Sequence, residues 1–164
     1  MSAGLRRAVT AFLAVLLVAA LALIGYQLAV VRPDLQHLEA RQADRAAAVS
    51  AAERFVVLFN TYDAATMDDY REEMATVLTA EAKADFGEAV DQIAASVAQV
   101  DMKSQGEVLT SAVATADGDS ARVLVVADAQ VDASYGKRAR HFRWEVDLQK
   151  VQGTWLVDDF TAVT

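Results

Sequence analysis

The sequence predicts an α+β fold with one N-terminal transmembrane helix, a helical stalk, and helices packed on a four-stranded antiparallel sheet. Two observations support this prediction. A long run of uncharged residues lies near the N-terminus, and the spacing of apolar residues changes from near 3.6 before Lys103 to 2 after it. The first pattern is typical of a membrane span, and the second of helices followed by strands.

The uncharged run extends from Ala8 to Val31, between Arg7 and Arg32. A helix rises about 1.5 Å per residue and needs roughly 20 apolar residues to cross a bilayer core, so this run is long enough. A cleaved signal peptide is the alternative, but its apolar region is shorter, at about 7 to 15 residues. We therefore expect a single-pass protein of the cell membrane with a membrane anchor at residues 8–31.

The basic residues beside a short tail favour a cytoplasmic N-terminus, at residues 1–7, and an extracytoplasmic C-terminal domain. Residues 32–48 are rich in helix formers but nearly lack large apolar side chains after Leu38, which predicts a solvated helical stalk. An apolar pattern with helical spacing begins at Val49. The expected α+β domain therefore covers residues 49–164.

Two helix starts are expected within the domain. Asp69 and Glu72 resemble an acidic form of the capping box, and Thr79 is a candidate N-cap for the next helix. That helix is expected to present Phe86 and Val90 on its apolar face.

Four strands follow, and the third has the clearest alternation, with Trp144 on the side facing the core and Arg143 on the side facing solvent. A hairpin centred on Tyr135 and Gly136 would pair Trp144 with Ala127 and Arg143 with Asp128. Helices covering the apolar face would complete a two-layer cone. The expected strands lie at residues 107–116, 121–133, 138–151 and 154–163.

Composition excludes several classes of function. Residues after the uncharged run hold 13 Lys and Arg (15 minus Arg6 and Arg7) against 23 Asp and Glu, a formal charge of −10. Nucleic acid and anionic lipid headgroups both require a basic surface, so neither is an expected partner. The absence of cysteine excludes a disulfide framework and thiolate chemistry.

No residue pattern predicts catalysis, a cofactor or a metal site. His37 lies in the stalk, and His141 lies among arginines that oppose a metal ion. Alternation along the last strand would direct one of Asp158 and Asp159 inward, where a carboxylate needs a partner. We therefore expect no catalytic, cofactor-binding or metal-binding residue.

The aromatic residues of the domain are the remaining candidates for a binding site. Packing in the core is the preferred interpretation, and a lipid-binding cleft is the alternative. The candidate residues for lining this core or cleft are Phe55, Phe59, Tyr62, Phe86, Phe142 and Trp144.

The order of these parts resembles the actinobacterial Mce-associated membrane proteins, an accessory family of the mammalian cell entry (Mce) systems. The resemblance covers the whole chain and is carried by Tyr62-Asp63, Leu78-Thr79 and Lys150-x-x-Gly153-x-Trp155-Leu156-Val157. It implies a domain like nuclear transport factor 2 (NTF2), similar to inner-membrane scaffold domains of type IV secretion. It brings no catalytic residue.

The resemblance implies a non-enzymatic accessory or scaffold subunit that assembles or stabilises an Mce-type importer of envelope lipids, sterols or fatty acids. The expected partners are Mce or permease-complex membrane proteins, or a homologous Mce-associated protein. A conjugation or type IV secretion scaffold is the alternative within this structural class. A cone domain that binds a small ligand or acts as an enzyme is the alternative from another class.

Overall fold

The computed structural model describes residues 3–27 and 32–163 and divides into two compact units, Met1–Ala43 and Asp44–Thr164. The helices are α1 (Ala3–Tyr26), α2 (Arg32–Asn60), α3 (Met67–Val77) and α4 (Ala80–Gln99), and a short 3-10 helix covers Ala64–Thr66. The strands are β1 (Tyr62–Asp63), β2 (Lys103–Asp117), β3 (Ser120–Ala133), β4 (Gly136–Val151) and β5 (Thr154–Ala162). The expected α+β class, with a curled antiparallel sheet, is confirmed.

The expected membrane span is not confirmed. Across residues 3–27 and 32–163, no helix is both long enough and apolar enough to cross a bilayer. Helix α1 ends at Tyr26, and residues 28–31 at the end of the expected span lie outside the described residues.

Helix α2 packs on the sheet from Asp44 onward, although the apolar pattern of the sequence begins only at Val49. Ala48 is 0% exposed, and the Asp44 carboxylate accepts a hydrogen bond from the Lys150 ammonium at 2.6 Å. The second compact unit accordingly begins at Asp44. The buried side chains in this part of α2 are small, so the sequence shows no stripe of large apolar residues here.

In residues 3–27 and 32–163, the sheet has five strands in the order β1-β2-β3-β4-β5, so the expectation of four is wrong. The additional strand is β1, in which Tyr62 pairs with Ser104 and Asp63 with Lys103. A strand of two residues is too short to show a period of 2, so the sequence pattern could not reveal it.

The expected register between β3 and β4 is also wrong, by two residues. Trp144 pairs with Val125 rather than Ala127, and Asp128 pairs with His141 rather than Arg143. The cause is the turn: because Ala133 pairs with Gly136, the turn residues are 134 and 135 rather than 135 and 136. Since the difference is two residues, each side chain keeps the expected face of the sheet.

The two expected helix starts have different outcomes. Thr79 is confirmed as the N-cap of α4, because its hydroxyl oxygen accepts a hydrogen bond from the Ala82 N–H at 3.2 Å. The capping box at Asp69 is wrong, because α3 already begins at Met67 and Asp69 lies in its first turn. An acidic residue is favourable there through the helix dipole, without acting as a cap.

Candidate functional site

Four of the six predicted lining residues meet in an aromatic cluster inside the curl of the sheet, with Phe59 of α2 at its centre. Its ring centroid lies 5.6 Å from Phe55, 6.1 Å from Phe86, 5.1 Å from Trp144 and 5.0 Å from Phe160. The rings meet tilted or edge-on, as aromatic pairs prefer. Helices α2 and α4 and strands β4 and β5 are therefore joined through one set of rings.

The other two predicted residues lie at the margin of this cluster or outside it. Phe142 is half-buried and stacks on Trp144 at 5.7 Å. Tyr62 makes an edge-on contact with Tyr70 at 6.3 Å and donates a hydrogen bond to the Met102 sulfur at 3.4 Å. Tyr62 thus belongs to a separate region, at the start of the sheet.

Phe160 is not among the predicted lining residues, because a bulge in β5 changes the direction of its side chain. Asp147 pairs with Asp159 while the next residue, Leu148, pairs with Val157, so Asp158 is an extra residue that interrupts the alternation. Phe160 consequently lies opposite buried Val146. A pair of adjacent carboxylates inside an apolar strand is the signal that could have indicated this bulge.

The same bulge leaves both carboxylates exposed, so the expectation that one points inward is wrong. Asp158 accepts a hydrogen bond from the Thr79 hydroxyl at 2.8 Å, and Asp159 accepts one from the Phe160 N–H at 2.8 Å. The first contact ties the start of α4 to β5. Neither carboxylate supplies the interior polar group that an enzymatic cone would need.

A cleft with a volume of about 650 Å³ lies outside the aromatic cluster, where β1 and α3 meet the start of β2. Its walls combine tyrosine rings with charged and amide side chains. The lining residues are Leu58, Thr61, Tyr62, Asp63, Thr66, Asp69, Tyr70, Glu73, Lys103, Ser104, Gln105, Gln130, Val131, Asp132 and Lys137.

Both lysines of this cleft are engaged in ion pairs. Lys103 lies 2.9 Å from Asp63, and Lys137 lies 3.0 Å from Asp132. The Asp63 carboxylate also accepts a hydrogen bond from the Ala65 N–H at 2.9 Å, and this bond, followed by Lys103, lowers the pKa of Asp63. Asp63 in turn raises the pKa of Lys103. Neither group is tuned for proton transfer near neutral pH.

Tyr70 is the most strongly perturbed titratable group of the cleft. Burial, with a smaller contribution from Tyr62, raises the pKa of its hydroxyl above the ordinary value. The hydroxyl points to the Phe59 carbonyl oxygen at 3.4 Å. A tyrosine that holds its proton this firmly acts as a hydrogen-bond donor rather than as a base.

His141 is exposed on the outer face of the sheet, and its Nδ1 lies 2.7 Å from the Asp128 carboxylate. On the same face, Arg122 makes two hydrogen bonds to Asp147, at 2.7 and 3.0 Å. Within the described part of the chain, no group of three or more His, Cys, Asp or Glu side chains is placed to hold a metal ion. On this face, polar contacts therefore join neighbouring strands at Arg122–Asp147 and at His141–Asp128.

The curled sheet and the helices packed on it form a fold like that of periplasmic domains of type IV secretion proteins. The chain belongs to the family described as "Uncharacterized protein Rv1363c/MT1408-like", a mycobacterial family whose model matches residues 7–158. A search of curated proteins finds no match.

Several solved structures of similar fold are secretion-system proteins. An IcmL-like type IV secretion system protein from Legionella pneumophila has 12% identity and a TM-score of 0.63 over 73% of this chain and 94% of that one. The periplasmic domain of DotI has 13% identity and a TM-score of 0.62 over 70% and 91%. CagV from Helicobacter pylori, a VirB8 homolog, has 10% identity and a TM-score of 0.57 over 72% and 97%. At these identities the likeness establishes the fold alone.

Proposed function

We propose that this protein is a scaffold subunit of a multi-component envelope assembly and that it is not an enzyme. The observation that carries the proposal is the interior of the cone, which is occupied by packed rings centred on Phe59. An enzyme or small-ligand carrier of this shape would use that interior as a pocket with converging polar groups. The fold, shared with periplasmic domains of secretion proteins, supports the same role.

Two kinds of assembly are candidates. The structural likeness to type IV secretion domains favours a scaffold of the secretion type. The resemblance in sequence to Mce-associated proteins favours an importer of envelope lipids. We place the secretion-type scaffold first, because structural likeness in several proteins supports it, and keep the Mce-type importer as the second candidate.

Attachment to the cell membrane is part of the proposal. The uncharged run at residues 8–31 supports it, and so does the exposure of large apolar side chains on α1, since exposed apolar surface marks a contact with lipid or protein. These exposed side chains include Phe12, Leu13, Val15, Leu17, Val18 and Leu23. The N-terminus would be cytoplasmic and the α+β unit extracytoplasmic.

A reporter fusion tests this topology. A phosphatase that is active only outside the cytoplasm, fused after Thr164, is expected to be active. An inactive phosphatase together with an active cytoplasm-only reporter at the same site would reverse the orientation.

The scaffold role is tested by cross-linking in living cells, followed by purification of the tagged full chain and mass spectrometry. Recovery of secretion-system components would support the first candidate, and recovery of Mce or permease proteins would support the second. Recovery of neither, with unrelated proteins at stoichiometric amounts, would refute the scaffold role.

A second test separates a scaffold from an enzyme. A scaffold depends on tethering, which raises the effective concentration of partners to the order of millimolar for a short link. An exported domain that lacks the apolar segment is therefore expected to fail to complement a deletion strain. Full complementation by the untethered domain would favour an enzyme that acts on a diffusible substrate.

A further inference from the structure

Among the described residues, no strand lies beside one edge of the sheet over most of its length. Strand β2 has 15 residues, but β1 pairs only with Lys103 and Ser104. The Gly106 N–H is satisfied by the Thr61 hydroxyl at 3.0 Å. From Glu107 to Asp117, β3 is the only strand among the described residues that pairs with β2.

The register identifies which backbone groups face this open edge. Asp117 and Ser120 flank a two-residue turn, so they form a hydrogen-bonded pair, and such pairs alternate along an antiparallel ladder. When this alternation is followed along the register, the backbone N–H and C=O groups of Ala112 bond to β3. Those of Ser111 and Val113 point away from β3. Unpaired groups of this kind are a template for another strand.

The side chains of this edge do little to prevent pairing. Residues 108–116 (VLTSAVATA) contain no charge, no proline and no glycine, which are common protections of an edge strand. The strand has two register shifts, at Leu109 and at Ala114, and such shifts hinder pairing with another strand. Between them, residues 110–113 form a regular segment. Leu109 is 56% exposed at the first of these shifts.

Charge at the two ends of the segment indicates what could pair with it. Glu107 precedes the uncharged residues and Asp117 follows them. Antiparallel pairing of two copies about Ala112 would place Glu107 opposite Asp117 twice, and parallel in-register pairing would place each carboxylate opposite itself. Like charges in opposite positions are destabilising, so a second copy of this chain is disfavoured.

We propose that the β2 edge, from Glu107 to Asp117, binds an extended segment of a partner protein by strand addition. The segment has an uncharged, β-branched centre and Lys or Arg at both ends. Main-chain hydrogen bonds at Ser111 and Val113 supply the attachment, and Glu107 and Asp117 select the basic ends. This inference rests on the proposed scaffold role, which requires a surface for another subunit.

The probe is a fluorescein-labelled peptide of two lysines, three Val-Thr repeats and two lysines, and the control peptide carries glutamates in place of the lysines. Binding to the purified full chain is measured by fluorescence anisotropy. We expect the lysine peptide to bind at least about tenfold more tightly at low salt, and the difference to shrink near 1 M salt as the charges are screened. Equal binding of both peptides would refute the selection by charge.

A matched pair of variants tests the edge itself. Val113→Pro removes the outward N–H, whereas Val113→Ala shortens the same side chain and keeps the N–H. Val113→Pro is expected to weaken binding of the lysine peptide about tenfold or more, and Val113→Ala about twofold or less. If Val113→Pro does not fold, Ala112→Lys at an exposed position places a repelling charge in the segment and is expected to give the same loss.

No binding by the unaltered chain, or binding that these variants leave unchanged, would overturn the inference. The scaffold role is judged separately, by the cross-linking experiment. If the peptide does not bind but partners are still recovered, the binding site on β2 is refuted and the scaffold role stands. If the peptide binds but no partners are recovered, the binding site stands and the scaffold role is refuted.

Discussion

Gly106 provides the sharpest test of how α2 is held on the sheet. A Cβ atom added at Gly106 would lie 2.6 Å from the Asn60 Cβ and 3.3 Å from both the Asn60 carbonyl carbon and the Val57 oxygen. Ordinary contact begins at 3.4 Å, so Gly106→Ala would force the end of α2 and β2 apart by nearly an ångström. The atoms in the way belong to the backbone or lie next to it and cannot rotate aside.

Such a separation would disturb the hydrogen bonds that fasten this end of α2. The Ser104 hydroxyl donates to the Asn60 carbonyl at 2.7 Å, and the Gly106 N–H donates to the Thr61 hydroxyl at 3.0 Å. Overpacking costs about 1–3 kcal/mol, and replacing glycine in a strand returns about 0.5–1 kcal/mol. We expect Gly106→Ala to lower the free energy of unfolding by about 1–2 kcal/mol.

Gly87→Ala is the matched control. Gly87 lies within α4, and an added Cβ meets nothing within 4 Å, so alanine should stabilise the helix by about 0.5–1 kcal/mol. Urea unfolding followed by tryptophan fluorescence measures both variants, because Trp144 and Trp155 lie in the second compact unit. If Gly106→Ala were neutral or stabilising, the close contact between α2 and β2 would be refuted.

Three further measurements test the packing, the start of α4 and the ion pair in the cleft. Trp144→Ala should lower the free energy of unfolding by about 3–5 kcal/mol by opening a cavity among the rings, whereas exposed Arg143→Ala should change it by about 0.5 kcal/mol; equal effects in urea would mean that the faces of β4 are reversed. Thr79→Ala should lower the free energy of unfolding by about 1–2 kcal/mol, because the N-cap hydrogen bond is lost, whereas Thr79→Ser should keep most of this stability. Equal melting temperatures of the two variants would exclude the cap. The hydrogen bond from the Ala65 N–H and, after it, the pair with Lys103 lower the folded-state pKa of Asp63 below its unfolded value, so these two contacts should stabilise the fold above about pH 4 and lose this effect as pH falls through the lowered pKa. The difference in unfolding free energy between the unaltered chain and Asp63→Asn should therefore be present at pH 7 and vanish in acid, and a difference independent of pH would contradict these two contacts of the carboxylate.

Local patterns of the sequence predicted much of the second unit. Alternation in the third expected strand correctly placed Trp144 and Leu148 in the core, because successive side chains of a strand point to opposite faces. The N-cap at Thr79 was predictable because a hydroxyl before a helix satisfies an N–H within the same few residues. The antiparallel order of the four long strands followed from the short turns between them.

Features that depend on residues far apart in the chain could not be predicted from local sequence patterns. A shift of two residues preserves the face of every side chain, so periodicity could not distinguish Val125 from Ala127 as the partner of Trp144. The inward position of Phe160 required the bulge at Asp158, which is defined by pairing with β4.

By itself, the sequence determined the four long strands, the helix start at Thr79 and the buried face of the third expected strand, because these depend on the local order of apolar and polar residues. Only the tertiary structure decided that Phe59 and Phe160 meet inside the cone, that Asp44 reaches Lys150, and that most of β2 is left as an open edge. The physical reason is that such contacts join residues far apart in the chain. Their geometry is set by how helices and strands pack together, which no local period encodes.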